Sequence, residues 1–464
     1  MEHGSSGRDA SPPLPRDAPG SAKGAPSAGH LLSWGNYPPF PQVPTACHWR
    51  SELPQRLERA RQEHGTTLPY GEGLSYGDSC LAASDHVLQL RPLDRFISAD
   101  WEAGALTAEA GVTLEEILAV AIPHGWFLSV TPGTKYITLG GAVANDVHGK
   151  NHHRRGSFGR HLRRFGLLRS DSGRLICSPT EQAELFGATI GGLGLTGLIE
   201  WAEIQLTPIR SSRIDSVTQR FGDLDEFFAL SAELDEQHEF CVSWIDCAAK
   251  GKTTGRGVYM AGDFAGDGPP AVAAGRRLTV PFTPPVSLVN RVSLRAFNEL
   301  YWRKAPRARR QARVGYDSFF YPLDAVLKWN RIYGPRGFQQ CQALIPEREA
   351  RAGIHALLAA IAESGTGSFL AVLKRCGNVP SPGLLSFPQP GTTLALDFPQ
   401  TDRLATTLFD RLDAIVREAG GRFYPAKDAH MSGEDFRRGY PAWGQLEALR
   451  DPALLSRFWK RVTT

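Results

Sequence analysis

Paired cysteines are what this sequence most clearly lacks. It has seven cysteines in 464 residues, an odd number, and no two of them have CxxC spacing. These features argue against a disulfide scaffold and against a metal site built from cysteines, because both need paired or closely spaced thiols. We expect the thiols to be small buried side chains in a reducing compartment. The cysteines are Cys47, Cys80, Cys177, Cys241, Cys247, Cys341 and Cys376.

Long apolar runs and a strong charge of one sign are also missing. No stretch approaches the roughly 18 consecutive apolar residues that a membrane-spanning helix needs, and no apolar segment follows Met1. The net charge of +4 is too mild to indicate nucleic-acid binding. We therefore expect a cytoplasmic protein that has no nucleic-acid partner.

The composition is otherwise that of a folded protein. Hydrophobic residues make up 42% and charged residues 22%, which suits two or three domains with sizeable cores. Residues 1–29 are the exception, since Gly, Ser, Pro and Ala dominate them and large apolar residues are nearly absent. Such a composition predicts a disordered N-terminal tail.

Three glycine-rich loops lie close together in the next part of the chain. They are LPYGEGLSYGDSC (68–80), TPGTKYITLGGAVANDVHGKNHHRRGSFG (131–159) and the GGLGLTG cluster (191–197). Glycines let backbone amides approach a ligand, so such loops can cradle phosphates. The first precedes a strand-like run, HVLQL (86–90), and no helix, so it is not a Rossmann fingerprint. Each loop alone could be a plain turn, but three together are better explained by one extended cofactor.

The second loop also carries titratable side chains. His148, Lys150, His152 and His153 follow its glycines within six residues. Polar groups on such a loop can orient a substrate and transfer protons. The alternative is a tight crossing in an α/β core with surface histidines.

Local patterns predict alternating strands and helices. Leu53–His64 has the spacing of an amphipathic helix, and Ala108–Val130 reads as a strand, an N-capping Thr113, a helix and a turn. From 209 to 420, strand-like runs alternate with helical segments, which suggests an antiparallel sheet with helices on one face. The runs are FCVSWIDCA, SFFYPL, QQCQALIP, SFLAVLK and TLALDFP.

These blocks together carry a resemblance to a known family. The three glycine loops resemble the PCMH-type FAD-binding domain of the vanillyl-alcohol oxidase superfamily, and within it the decaprenylphosphoryl-β-D-ribose oxidase family. Residues 321–346, 368–377, 384–399 and 420–430 are similar to further blocks of that family, with HGKNHH and FYPAKD the most specific.

The resemblance implies an α+β fold in two parts. A two-part PCMH-type FAD-binding domain is expected at 30–208, with a substrate-binding cap domain, an antiparallel sheet flanked by helices, at 209–420. A C-terminal segment, 421–464, should return to the FAD-binding domain.

The resemblance also implies which residues line the flavin. Covalent members of the superfamily often carry a histidine where this chain has Leu74, so the FAD is expected to be noncovalent. Asn145 replaces a cysteine of relatives, but its backbone can still contact the cofactor. The expected lining is Pro69, Tyr70, Gly71, Glu72, Gly73, Leu74, Ser75, Tyr76, Gly77, Asp78, Ser79, Gly133, Thr138, Leu139, Gly140, Gly141, Asn145, Asp146, Val147, His148, Ile199 and Tyr424.

The substrate positions follow from the same resemblance. Gln340 and Gln342 lie two apart, so they should share one strand face. Without the resemblance, Trp244, Trp329 and Tyr321 would be interpreted as core residues, and the two glutamines as solvated side chains. The expected substrate residues are Gln340, Gln342, Lys374, Trp244, Trp329, Tyr321 and Lys427.

The implied reaction is oxidation of the 2-hydroxyl of a polyprenylphosphoryl ribose to a 2-keto sugar, the first half of an epimerisation to arabinose. Lys427 and His148 are the predicted catalytic residues, orienting or accepting the hydroxyl proton. A lysine buried there should have a charge partner. Reduction of the keto sugar would need a separate NADH-dependent short-chain reductase, because this chain has no Rossmann motif.

Other functions remain open at this point. A flavin oxidase could act instead on a soluble sugar alcohol or an aldonolactone. A flavin protein without oxidase activity, or a scaffold for nucleic acid or membrane, would also contain some of these features. The arginine-rich segment Tyr301–Arg313 could attract an anionic membrane surface peripherally, or it could be a solvated loop.

Overall fold

The structure is a computed structural model that describes residues 31–273, 277–402 and 404–464. The tail predicted at 1–29 lies outside the described residues. Helices and strands alternate along the chain, as the sequence predicts, and the fold is α+β.

The strands fall into three larger sheets and one short pair. In chain order they are β1 (Val43–Ala46), β2 (Leu68–Tyr70), β3 (His86–Gln89), β4 (Phe96–Asp100), β5 (Ala105–Glu109), β6 (Trp126–Leu128), β7 (Leu162–Arg169), β8 (Gly173–Cys177), β9 (Leu198–Pro208), β10 (Arg213–Phe221), β11 (Phe240–Ile245), β12 (Gly257–Phe264), β13 (Leu278–Thr279), β14 (Arg310–Gly315), β15 (Val326–Leu327), β16 (Phe338–Pro346), β17 (Val372–Cys376), β18 (Gly391–Pro399) and β19 (Arg422–Phe423).

The helices vary from one turn to about four turns. They are α1 (Leu53–His64), α2 (Leu114–Ala121), α3 (Leu139–Ala144), α4 (His152–Arg155), α5 (Ala183–Thr189), α6 (Leu224–Gln237), α7 (Arg291–Lys304), α8 (Tyr316–Phe320), α9 (Ala350–Ser364), α10 (Asp410–Glu418), α11 (Gly433–Gly439), α12 (Trp443–Leu449) and α13 (Arg457–Thr463). A π-helical stretch, Leu404–Phe409, leads into α10. Short 3-10 helices cover Arg50–Glu52, Asp78–Cys80, Ile122–His124, Phe158–His161, Gly251–Thr253, Pro322–Ala325, Trp329–Tyr333 and Glu347–Glu349.

The first half of the chain builds two sheets. A parallel sheet has the order β1-β3-β2, and an antiparallel sheet has the order β4-β5-β9-β7-β8, with β6 also paired to β9. Helix α2 begins at Thr113, whose side chain accepts the amide of Glu116 while the Glu116 carboxylate accepts the amide of Thr113. This reciprocal cap confirms the predicted helix start. Helix α1 likewise has the predicted bounds.

The second half builds an eight-stranded sheet with the order β14-β10-β12-β11-β17-β18-β16-β19. Helices α6, α9 and α10 cover one face of it, because the side chains on that face are apolar and merge into the largest core. That inner face includes Cys341, Ala343, Leu394, Leu396 and Leu373.

One predicted strand is wrong. The run SFFYPL contains most of helix α8, Tyr316–Phe320. Its phenylalanines are held in an aromatic cluster, with Phe320 4.8 Å from Phe240 and 5.4 Å from Phe127 between ring centroids. Tertiary packing therefore outweighs the β preference of these aromatic residues.

The last part of the chain returns to the first half. β19 pairs with β16 at the edge of the large sheet, and the amide of Leu455 donates to the carbonyl of Thr67. Arg461 on α13 binds Asp78, next to the first glycine loop. The domain boundaries themselves stay a prediction. Within the described ranges, no helix is both long and apolar enough to span a bilayer.

Candidate active site

The first glycine loop presents unpaired backbone donors. Among the described residues, the amides of Gly71 through Ser75 donate to no protein acceptor. The hydroxyl of Ser79 is buried and also lacks a partner. Since buried or clustered donors need acceptors, this loop suits a ligand rich in oxygen, such as a pyrophosphate.

The shape of this loop depends on close packing. A Cβ on Gly77 would lie 1.7 Å from the carbonyl oxygen of Asp428, so only glycine lets the loop approach the C-terminal segment. Arg461 then bridges Asp78 and Asp428, with nitrogen to oxygen distances of 2.8 Å to each. Asp78 and Glu72 thus have protein partners, Glu72 binding Arg91 at 2.7 Å. We refer to Asp78, Arg461 and Asp428 as the loop clamp.

The second loop begins at a helix cap. Thr138 caps α3 by accepting the amide of Gly141 at 3.1 Å. The amides of Leu139 and Gly140 donate to the carbonyls of Val112 and Ala110. Gly140 allows α3 to pack closely on the chain just after β5, because a Cβ there would lie 3.0 Å from the Cβ of Ala110. By contrast, a Cβ on Gly133 would meet no protein atom within 4 Å.

Asp146 fastens this loop to the large sheet domain. It is buried and has a φ of 40°, and its carboxylate accepts the amide of Gly159 at 2.7 Å and the hydroxyl of Ser381 at 2.6 Å. The next predicted lining residues, Val147 and Ile199, are buried apolar side chains. Asn145 is held by Tyr424, whose hydroxyl donates to the Asn145 carbonyl at 2.8 Å.

His148 joins the loop to the outer face of the large sheet. Its Nδ1 lies 2.6 Å from Nζ of Lys374, and its Nε2 lies 3.2 Å from the side-chain amide of Gln342. The ring of Tyr424 lies 5.8 Å away, and Phe387 stacks on Tyr424 at 4.7 Å. Four predicted site residues, His148, Lys374, Gln342 and Tyr424, are thus brought together from four separate chain segments.

These contacts indicate the protonation of His148. Lys374 also donates to the carbonyl of Gly149, so its ammonium is fixed as a donor towards Nδ1. Burial, followed by the charge of Lys374, holds the pKa of His148 well below its usual range. A neutral ring that accepts at Nδ1 carries its proton on Nε2. The Gln342 side-chain nitrogen faces Nε2 in the structure, so the amide must be turned to present its oxygen as the acceptor. His148 is therefore a donor at the substrate face and not a free base.

Lys427 has a different environment. Its Nζ lies 3.7 Å above the ring of Tyr76, in cation–π geometry. Burial lowers the pKa of Lys427 to about 7, and the nearby carboxylate of Asp397 opposes that shift. Asp397 accepts a hydrogen bond from Gln340 at 2.6 Å, and burial raises the pKa of Asp397 to about 7. Asp397, and not the adjacent Asp428, is the carboxylate whose charge raises the pKa of this lysine.

Sheet register places the other predicted residues. Gln340 pairs with Asp397, and Gln342 pairs with Ala395, so both glutamines face the same side. Across the sheet, Ala395 pairs with Val372 and Val372 pairs with Trp244. The outer face therefore carries a row that changes from polar at Gln342 to apolar at Trp244.

Two predicted aromatic residues lie apart from this row. The hydroxyl of Tyr321 pairs with that of Thr131 at 2.6 Å, at the start of the second glycine loop. Trp329 packs against Trp34, with ring centroids 5.6 Å apart. No direct contact joins either residue to His148 in the described part of the chain.

Sequence reasoning missed Asp397, Thr393 and Phe387. Asp397 and Thr393 flank Ala395 at a spacing of two on β18. Because side chains alternate along a strand, counting by two from Ala395 would have found both. No comparable sequence signal points to Phe387.

One group of side chains has the residue types of a metal site. Ligand atoms of His153, Asp235 and Cys241 lie within 4.8 Å of one another. The carboxylate of Asp235 already accepts the hydroxyls of Tyr259 and Ser231, and burial raises the pKa of the Cys241 thiol. These partners and the protonated thiol disfavour a cation, because a bound thiol must be deprotonated.

Comparison with known proteins agrees with this geometry. Residues 41–178 match the FAD binding domain family. Decaprenylphosphoryl-beta-D-ribose oxidase from Mycolicibacterium smegmatis is 33% identical over 440 residues, covering 91% of this chain and 94% of that protein. An uncharacterized protein in the mprA 5' region of Streptomyces coelicolor is 35% identical over 73% of the chain and 95% of its own length. L-gulonolactone oxidase from Scyliorhinus torazame is 30% identical over 38% of the chain and 40% of that enzyme.

Proposed function

The chain belongs to the decaprenylphosphoryl-β-D-ribose oxidase family of FAD-dependent oxidoreductases, and on that premise we propose that it oxidises the 2-hydroxyl of a polyprenylphosphoryl ribose to the 2-keto sugar. The observation that carries this proposal is the outer face of the large sheet. Polar groups meet at His148, Gln342 and Lys374, and an apolar row leads away from them to Trp244.

The residues present suit a noncovalent FAD. The unpaired amides of Gly71–Ser75 and the buried Ser79 hydroxyl would bind its phosphates. Leu74 has no nucleophile with which to form a covalent link. When bound, FAD accepts a hydride from the carbon that carries the hydroxyl. The remaining lining residues predicted from the sequence belong to the same proposal.

The sugar would bind against the outer face of the sheet. Gln342 and Gln340 offer amide groups that can bind ribose hydroxyls, and the Nε2 proton of His148 can orient one of them. Trp244, Val372 and Ala395 would contact the first apolar units of the lipid, because Val372 is 38% exposed on this face. Trp329 and Tyr321 would then support the site from its edges.

Lys427 is the residue that we assign as the base. A lysine amine whose pKa is about 7 is partly unprotonated at neutral pH, so it can accept the hydroxyl proton. His148 does not compete for this role, since Lys374 occupies its Nδ1. Gln340 donates to Asp397, whose charge raises the pKa of Lys427. The ring face of Tyr76 contacts the Lys427 amine.

The product would leave for a second enzyme. Reduction of the 2-keto sugar to the arabinose epimer needs a hydride donor, and we assign that step to a separate NADH-dependent short-chain reductase. We also place the protein in the cytoplasm, peripheral to the membrane that holds its lipid substrate.

Flavin bleaching tests the proposal directly. The purified holoprotein is mixed anaerobically with a polyprenylphosphoryl ribose, and the visible flavin absorbance is followed. We expect bleaching, and we expect Lys427→Met to slow it roughly 100-fold or more while keeping the flavin. Lys460→Met, an exposed lysine, is the matched control.

A parallel arm uses L-gulono-1,4-lactone and free ribose. Bleaching by the lactone but not by the polyprenyl sugar would replace our proposal with oxidation of a soluble sugar acid derivative. The partial similarity to L-gulonolactone oxidase makes this the second candidate.

A further inference from the structure

Residues 278–301 expose large apolar side chains in a continuous part of the chain. Residues 278–289, LTVPFTPPVSLV, contain no charged residue at all. Monomeric proteins rarely expose contiguous apolar patches, so a run of this kind indicates a partner. The exposed side chains include Leu278 (71%), Phe282 (67%), Val286 (68%), Leu288 (51%), Val292 (77%) and Leu300 (69%). We refer to residues 278–301 as the α7 surface.

The backbone of the α7 surface is fixed to the fold. β13 pairs with β15, and Arg331 donates to the carbonyls of Val280 and Pro281, both at 2.8 Å. The amide of Leu288 donates to Ile332, and Val289 is buried beside Tyr333. These hydrogen bonds fix the backbone of residues 278–289 to the fold, and the exposed apolar side chains of this segment therefore face the solvent.

Helix α7 continues this surface with two distinct faces. Leu294 and Asn298, four residues apart, face the protein, and Asn298 donates to Asp246 at 2.8 Å. Val292, Ala296 and Leu300 are also four apart, so they form one outward stripe. Arg291, Arg295, Arg303 and Lys304 are exposed beside that stripe.

The charge of the helix is almost entirely positive. Its single acidic residue, Glu299, is paired with Arg256 and Arg303. The arginines farther along are different, because Arg309 binds Glu233 and Arg313 binds Asp215. Within the arginine-rich segment 301–313, residues 301–304 end α7, residues 310–313 belong to the edge strand β14, and the connection 305–309 between them is a loop.

The α7 surface also connects to the substrate face. The ring of Tyr301 lies 4.6 Å from that of Trp244, and Phe297 lies 4.9 Å from Phe369. Trp244 is the apolar end of the row that begins at Gln342. The lipid chain of a substrate bound at Gln342 could therefore follow Ala395, Val372 and Trp244 to Tyr301 of α7, and none of these side chains is charged.

We propose that the α7 surface docks on the surface of an anionic lipid bilayer. An uncharged apolar segment beside a basic helix stripe matches acyl chains beneath negative headgroups. A second copy of the chain would bring the same positive charges together, whereas anionic headgroups would neutralise them. The long side chains of Arg291 and Arg295 can reach the lipid headgroups while the stripe of Val292, Ala296 and Leu300 contacts the acyl chains below them.

Vesicle co-sedimentation of the full-length holoprotein tests this inference without any substrate. Vesicles of about equal phosphatidylglycerol and phosphatidylcholine are compared with pure phosphatidylcholine, and we expect binding mainly to the anionic set. The double variant Phe282→Ser/Leu300→Ser should lower the partition coefficient roughly tenfold or more. Arg291→Gln/Arg295→Gln should lower it by roughly fivefold per charge at low salt.

Matched controls come from exposed apolar residues elsewhere. Val43→Ser/Ile176→Ser removes side chains that are 51% and 42% exposed on β1 and β8, and it should bind vesicles like the parent protein. Equal binding by every variant would overturn the proposal. So would a lipid-independent dimer that Phe282→Ser/Leu300→Ser abolishes in analytical ultracentrifugation, because the α7 surface would then be a self-association interface. Failure of the bleaching test would leave this inference intact.

Discussion

Lys374 and His148 stand 226 residues apart in the chain, yet Nζ of the lysine lies 2.6 Å from Nδ1 of the histidine. The contact connects the second glycine loop to β17 of the large sheet. Because the Lys374 ammonium donates to Nδ1 of the neutral His148 ring, the ring proton lies on Nε2, and Nε2 acts as a donor. The substrate face is thereby given a neutral histidine with a defined tautomer.

Replacing Lys374 with Met should release His148. Burial and then the charge of Lys374 depress the pKa of His148, so losing that charge should raise the pKa. Proton-detected nitrogen NMR of the histidine rings over a pH series would measure the change and the tautomer. Turnover should fall by about 10-fold to 100-fold, because the ring loses its orientation.

Lys150→Met is the control for this variant. Lys150 is another lysine in the same loop region, and its ammonium binds the carbonyl of Phe319 and not His148. A His148 pKa that is unchanged in Lys374→Met, or raised equally in Lys150→Met, would contradict the assignment.

The value of kcat/KM should fall as the pH is lowered through about 7, which gives the pH profile an acidic limb. Because burial lowers the pKa of Lys427 to about 7, the free amine predominates above that pH and is lost as the pH falls through it. Asp397→Asn removes the negative charge that opposes the shift, so the limb should move to lower pH. The pH dependence of kcat/KM in the two proteins measures the displacement.

Asp324→Asn provides the comparison for that experiment. Asp324 is also a buried carboxylate, with its pKa raised by burial to about 6; it accepts the amide of Lys135, and its charge is not among the causes that shift the pKa of Lys427. An acidic limb that moves upwards in Asp397→Asn, or that moves as far in Asp324→Asn, would refute the role of Asp397.

Gly133→Ala should weaken FAD binding while leaving the fold unchanged. Gly133 is exposed and a Cβ there meets no protein atom within 4 Å, so the added methyl group should leave the fold unchanged and would touch only FAD bound over this loop. We expect the Kd for FAD to rise about tenfold. Titration of apoprotein by flavin fluorescence would measure it. Gly444→Ala, where a Cβ is also unopposed, should bind FAD normally; equal affinity in both variants would remove Gly133 from the cofactor lining.

Ala395→Cys should create a reactive thiol on the outer sheet face. The native cysteines are mostly buried, and burial raises the pKa of the most accessible one, Cys80, to about 12. We expect N-ethylmaleimide to label the variant roughly tenfold or more faster than the parent, with substrate slowing the reaction. Intact mass spectrometry measures the adduct. Labelling that is absent until the protein is denatured would place residue 395 away from the substrate face.

Local features of the fold were predictable from the sequence. The spacing of apolar residues predicted α1, and Thr113 as an N-cap predicted the start of α2. Both depend on contacts within a few residues, which one sequence displays directly. The segment SFFYPL failed because its aromatic residues are placed by partners as distant as Phe127.

For the candidate site, the sequence supplied residues to expect but not the contacts between them. The resemblance supplied His148, Lys374 and Gln342, whereas their mutual contacts depend on strand register that no local pattern encodes. A charge partner for Lys427 was expected; the carboxylate that raises its pKa is Asp397, which is distant in the chain and which no local pattern indicates.

The loop clamp has a consequence for biosynthesis. Arg461 is translated 383 residues after Asp78, the residue it binds beside the first glycine loop. At about 5–20 residues per second, a ribosome needs roughly 20–80 s to make that stretch. During this interval the nascent loop has no clamp. We therefore expect flavin capture to be a late event in maturation, which depends on the supply of FAD after residue 461 has emerged.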